Sequence, residues 1–221
     1  MSGRRDRVGR CLRTVCMSIL TVALAAACST PSGSATPTTS PGGGSPPPDV
    51  TPRPDIATAP AGDGTTAVIR TARGDITIEL YTESAPVAAA NFIKLAEADF
   101  YDGVVFHRLV PGFVIQGGDP TGTGTGGPGY TIQDEPVVGD YERGVVAMAR
   151  TPAPNSQGSQ FFVCLADLTG RLDKAGGYVI FGRVTSGMDV VDAIAAGPNS
   201  GSPSNQALEP VAMTSVDIVR P

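Results

Sequence analysis

The sequence predicts a mainly β domain, a closed antiparallel barrel capped by two α-helices, behind a cleaved leader and an unpacked tether. Three observations carry this. Short apolar or alternating runs recur from about residue 65 to the end, separated by Gly-containing turns. Two stretches in that region have helical periodicity. Ahead of them lies a segment rich in Pro, Gly, Ser and Thr with no aromatic residue.

The chain opens with Arg4, Arg5, Arg7, Arg10 and Arg13 against Asp6. An apolar run follows from Val15 to Ala27, too short for a comfortable membrane span, and ends in Ala25-Ala26-Ala27-Cys28. A basic head, a short apolar run and small residues before a break make a secretory signal. The small residues before Cys28 resemble a bacterial lipobox, which implies cleavage before Cys28 and lipidation of that cysteine. A plain secretory signal and an uncleaved anchor helix are the alternatives. Arg4-Arg5 lacks the apolar follow-on of a twin-arginine signal.

On this reading Cys11 and Cys16 leave with residues 1–27, and Cys28 is taken by lipid. Cys164 then stands alone in Phe161-Phe162-Val163-Cys164-Leu165, as a buried, inert thiol. The remaining chain carries 11 basic and 20 acidic residues, so acyl chains, not charge, would hold it to an anionic membrane.

Residues 28–63 read as the lipidated cysteine and its tether. Between Ser29 and Pro60 there are nine prolines and four glycines, which cannot offset the entropy of folding. Extended, this stretch reaches at most about 100 Å. It is either a spacer lifting the domain from the membrane or a linker whose length hardly matters.

Residues 64–221 form the domain. Val68–Thr71 and Ile76–Leu80 read as strands around an Arg73-Gly74-Asp75 turn, with Ile76, Ile78 and Leu80 on one face. Ser84-Ala85-Pro86 opens a helix to about Ala98, its stripe being Ala88, Phe92, Leu95 and Ala96. Strands follow at Val104–Arg108, Val114–Gly117, Gly144–Ala149, Phe161–Leu165 and Val179–Val184. A second helix spans Met188–Ala196 and is stopped by Gly197-Pro198; a last strand spans Val211–Val219.

Composition excludes several functions. A net charge of −5 lacks the basic footprint of a nucleic-acid binder. One His excludes a His-based metal cage and any two-histidine mechanism. Gly122-Thr123-Gly124-Thr125-Gly126-Gly127 contains GxGxxG, but Pro128-Gly129 follows and no helix opens there for a pyrophosphate. The stretch reads instead as a flexible loop beside a groove. No GxSxG is present.

Two segments concentrate the remaining chemistry: Phe106-His107-Arg108-Leu109-Val110-Pro111-Gly112-Phe113-Val114-Ile115-Gln116-Gly117-Gly118-Asp119, and Ala147-Met148-Ala149-Arg150 with Asn155 through Val163. Alternation puts Phe106 and Arg108 on one face and His107 on the other, and turns Phe161 and Phe162 opposite ways. The site offers a fixed cation, an amide and apolar walls, with no nucleophile, carboxylate pair or metal set.

Both segments closely resemble the signature stretches of the cyclophilin family of peptidyl-prolyl cis-trans isomerases, and the resemblance runs over about residues 65–220. It implies an eight-stranded barrel with a helix over each end, a proline pocket on the outer face, and isomerisation of Xaa-Pro bonds without a cofactor. Arg108 matches the catalytic arginine, Phe113 the pocket floor and Gln116 the amide that braces the arginine and the substrate backbone. Val114 and Leu172 match apolar walls; Ala149 and Arg150 match the strand that pairs with bound peptide. Gln160 and Phe162 match further pocket positions, and His107 and Tyr178 match the rim. By its residue type alone, His107 reads as a hydrogen-bonded structural residue.

The sequence departs from the family pattern in places. Arg171 falls where many members carry Trp, which implies weak cyclosporin binding. Arg150 replaces a common Asn and is expected to act through its backbone. The loops Thr151–Pro154 and Asp173–Gly177 are longer. The resulting expectation is a monomeric, extracytoplasmic lipoprotein that isomerises proline-containing segments of exported proteins and meets the membrane only through its lipid. The alternative is a chaperone or surface module that binds proline segments, with incidental catalysis.

Overall fold

The computed structural model describes residues 59–221. The leader, Cys28 and nearly all of the proposed tether lie outside the described residues.

β1 (Thr66–Thr71) and β2 (Gly74–Leu80) form an antiparallel hairpin in which Thr66 faces Glu79 and Thr71 faces Gly74. Burial alternates along β2, with Ile76, Ile78 and Leu80 inside as their spacing predicts. α1 (Pro86–Glu97) begins at the expected proline and buries Ala88, Phe92, Leu95 and Ala96. Ala85 precedes it without a side-chain cap. Glu135, distant in sequence, fills that role. Its carboxylate accepts the Val87 and Ala88 backbone N–H groups, each at 2.8 Å. A negative charge there also complements the helix dipole.

The remaining elements are β3 (Arg108–Val110), β4 (Val114–Gly117), β5 (Val145–Met148), β6 (Phe161–Cys164), α2 (Thr169–Leu172), β7 (Ile180–Ser186), α3 (Met188–Ala195) and β8 (Met213–Val219). All eight strands join one sheet in the order β3-β4-β6-β5-β7-β2-β1-β8.

That order corrects the expectation of a closed barrel. The sheet is a curled half-barrel whose edges, β3 and β8, form no ladder. Isolated bridges, Val105 with Ala212 and Arg108 with Gln206, and a few backbone bonds such as those of Gly103 and Val104 with Met213 link the two margins. Closure needs a continuous staggered ladder. The strand expected at Val104–Arg108 supplies none, because its regular pairing begins only at Arg108. Among the described residues there are also three α-helices rather than two, since α2 is a single turn too short to leave a periodic signature.

The sheet carries apolar residues on both faces. Leu109, Ile115, Val163 and Val146 stand in register across β3, β4, β6 and β5 and pack into the main core. Phe161 is the hub of that core, edge-on to Phe92 at 5.6 Å and to Phe106 at 6.2 Å. Phe162, Val114, Ala147 and Cys164 belong to a second cluster, with Leu168 and Leu172 from around α2. β5 and β6 are therefore buried at every position, and period-two alternation is invisible in them.

The long-range cap on α1 is testable. Glu135→Ala is expected to lower unfolding stability by about 1–2 kcal/mol, with Glu135→Gln recovering part of it. Unchanged denaturation midpoints for Glu135→Ala would show that the cap contributes nothing.

Candidate active site

The site is built on the β3–β4 hairpin. Its turn is Val110-Pro111-Gly112-Phe113, closed by the Phe113 N–H donating to the Val110 carbonyl at 2.9 Å. Pro111 presets the second position, and Gly112 adopts φ +68° at the third, which a type II turn requires. The turn delivers Phe113 to the second cluster's face.

Strand register does the rest. Arg108 faces Gln116, Gln116 faces Phe162, and Phe162 faces Ala147. One row across four strands thus alternates charge, amide and apolar wall. Arg108, Gln116 and Phe162 from this row, with Phe113, Val114, Ala149, Arg150, Leu172 and Tyr178, enclose a pocket of about 120 Å³. Sites for drug-sized ligands are typically about 300–1,000 Å³; this one suits a single small ring.

The polar groups form a chain. The Arg108 Nη1 donates to Gln116 Oε1 at a long 3.4 Å. Gln116 Nε2 donates to Gln160 Oε1 at 2.9 Å, and Gln160 Nε2 to the Gly126 carbonyl at 2.8 Å. Burial lowers the Arg108 guanidinium from its ordinary value, opposed by Tyr178. It starts so far above neutrality that it keeps its charge. Tyr178 packs edge-on to Phe162 at 5.4 Å, and its backbone N–H and carbonyl both bond the Tyr141 hydroxyl.

Beyond Gln116 the pocket opens into a groove of about 610 Å³ between residues 124–131 and the 149–160 segment. The Gly-rich loop does lie beside this groove, but it is not slack. The Asp119 carboxylate accepts the backbone N–H groups of Thr121, Thr123, Gly124 and Gly126 at 2.6–3.1 Å. Gly126 is required there, because a Cβ would stand 2.1 Å from Asp119 Oδ1. Burial alone would raise the Asp119 pKa; the bonds from Thr121, Gly126 and Gly124 outweigh it and hold the acid well below the usual carboxylate range.

Nine of the eleven residues singled out in the sequence line the small pocket: Arg108, Phe113, Val114, Gln116, Ala149, Arg150, Phe162, Leu172 and Tyr178. Gln160 lines the adjoining groove. His107 lines neither. It is buried at 5% exposure, and both ring nitrogens lack a hydrogen-bond partner, contrary to the bonded role expected of it. Phe106 packs in the core rather than sharing a face with Arg108, since residues 106 and 107 precede the regular ladder. Phe161 and Phe162 do face opposite ways. Cys164 is buried, with its thiol pushed up to about 12 by burial, in keeping with an inert residue.

Two features escaped the sequence reading. The Arg150 side chain, expected to be a bystander, donates to the Gly177 and Gly176 carbonyls at 2.8 and 2.7 Å and lies 5.5 Å from the centre of the Tyr178 ring. The adjacent glycines, both at positive φ, were the available signal. Arg171 places its guanidinium 4.0 Å over the Phe113 ring.

The profile described as "Cyclophilin type peptidyl-prolyl cis-trans isomerase/CLD" matches residues 66–218. The chain is 40% identical to the "Probable peptidyl-prolyl cis-trans isomerase A" of Mycobacterium leprae, covering 69% of this chain and 91% of that protein. It is 45% identical to a peptidyl-prolyl cis-trans isomerase of Helicobacter pylori, over 59% of this chain and 80% of that one. A crystal structure of a cyclophilin type isomerase from Cryptosporidium parvum, solved in the presence of the dipeptide Ala-Pro, superposes with a TM-score of 0.64 at 32% identity. It covers 71% of this chain and 99% of the other.

The buried imidazole sets a pH dependence. Desolvation lowers the His107 pKa from its ordinary 6.5, with Asp119 opposing and Arg108 reinforcing. The unfolded chain therefore takes up this proton first, so stability is complete above about pH 6.5 and falls as the pH drops toward the folded value. His107→Gln should flatten the slope of stability between pH 7 and 5. An unchanged slope would assign it to other groups. Asp119, also depressed, acts only below about pH 3.8, so the two windows separate.

Proposed function

The chain belongs to the cyclophilin type peptidyl-prolyl cis-trans isomerases, and we propose that it turns this cofactor-independent activity on exported and cell-envelope proteins, with Arg108 as the catalytic group. The observation that carries the mechanism is the Arg108 guanidinium, braced by Gln116 at the wall of an apolar pocket sized for one ring.

Rotation about an Xaa-Pro bond must break amide resonance, across a barrier near 18–20 kcal/mol. Unaided it takes tens to hundreds of seconds. In the twisted transition state the proline nitrogen pyramidalises and regains its lone pair. With the ring seated between Phe113, Val114, Phe162 and Leu172, an Arg108 N–H donates to that nitrogen while the preceding carbonyl swings. The bond exists in the transition state and not in the planar ground state, so it lowers the barrier rather than merely tightening binding. No proton changes hands. Gln116 holds the guanidinium plane and presents its amide to the peptide backbone; Ala149 and Arg150 flank the extended chain. Arg suits this role better than Lys because its donors are fixed in a plane.

The leader supports the cellular setting. A basic head, a short apolar run and small residues before Cys28 motivate export, cleavage and lipid anchoring, with a monomeric domain carried on a proline-rich tether. Cys28→Ser should move the protein from the membrane to the soluble fraction; its retention there would contradict the anchor.

Arg108→Ala should reduce kcat/KM for an Xaa-Pro peptide by about 10²–10³-fold while circular dichroism is unchanged, and Arg108→Lys should recover little. Full turnover by a folded Arg108→Ala protein would remove the arginine from the mechanism. Rescue of a cellular phenotype by that inactive variant would favour binding of proline segments as the role that matters.

A further inference from the structure

Two of the side chains lining the small pocket are arginines, Arg108 and Arg150, and none is acidic. A third arginine adjoins it. The Arg171 guanidinium stacks 4.0 Å over the ring of Phe113, itself a wall of the pocket. Arg150 is immobilised by the Gly176 and Gly177 carbonyls and lies 5.5 Å from the centre of the Tyr178 ring, so its charge stays beside the pocket. The groove beyond is likewise lined by Arg150 and by no carboxylate.

Two carboxylates beside Arg150 are already engaged. Asp134 and Glu135 share a separate recess with Arg150. Asp134 accepts from the Asn155 backbone and the Gln157 amide, and Glu135 caps α1. A chain with a net charge of −5 thus gathers three guanidinium groups at the one place where substrate is held.

We propose that Arg171, with Arg150, makes this isomerase selective for segments with an acidic residue next to the proline. The inference rests on the isomerase reading of the pocket but concerns a different property of it. A guanidinium stacked on an aromatic face keeps outward donors free for a carboxylate. An exposed pair of this kind yields a modest preference, about three- to fivefold, and salt weakens it.

The experiment compares peptides with Ala, Glu or Lys on each side of one proline, for the wild type, Arg171→Gln and Arg171→Lys. Turnover is followed by exchange NMR and binding by titration. The wild type should favour Glu over Lys about three- to fivefold in both readouts, less at 0.5 M salt. The ratio should fall toward one in Arg171→Gln and recover in Arg171→Lys, which a merely structural effect would not produce. The side of the proline that carries the preference locates the acidic subsite. Equal ratios in wild type and Arg171→Gln, or no preference at all, overturn the inference. Failure to accelerate even the Ala-flanked peptide would instead overturn the isomerase reading. The binding ratio would still decide the charge preference.

Discussion

The site depends on holding a guanidinium in one orientation against an apolar pocket. A long side chain on a three-residue edge strand does not stay there by itself. The chain of contacts from Arg108 through Gln116 and Gln160 to the Gly126 carbonyl supplies the constraint. Its far end is anchored in a loop closed on the Asp119 carboxylate. The pocket's polar wall and the groove's Gly-rich wall are thus parts of one hydrogen-bonded unit, so loosening the loop would also loosen the arginine.

Register makes the arrangement possible. Arg108, Gln116 and Phe162 stand opposite one another across β3, β4 and β6. A slip of one residue between β3 and β4 would turn Gln116 toward the main core and Ile115 toward the pocket. Phe161 resists such a slip on β6, since it is surrounded by Phe92, Tyr101, Phe106 and Phe181 on the core side. Adjacent phenylalanines therefore serve opposite faces, one fixing the frame and the other lining the site. An open, curled sheet suffices for this, because the row that builds the pocket lies on strands well paired to each other.

The arginines at positions 150 and 171 place positive charge at the pocket. Arg150 ties the 173–177 loop to the site through two carbonyls. Arg171 covers an aromatic ring with a cation.

Much of this protein was legible in the sequence. Seven of the eight strands, the two longer helices, and the placement at the pocket or groove of ten of the eleven residues singled out follow from turn chemistry, apolar spacing and the match of two segments to a known family. These signals are local, or reach across hairpins whose turns are written in Pro and Gly. What escaped was long-range. The Glu135 cap on α1 bridges 48 residues. The open edge between β3 and β8 depends on backbone that pairs through isolated bridges and scattered bonds rather than a ladder. Burial of His107 without a partner, and the stacking of Arg171 on Phe113, depend on how loops fold over the sheet. Composition and periodicity record which residues a segment contains and which face each takes. They do not record which distant segment comes to lie against that face, and that was decided only when the chain closed on itself.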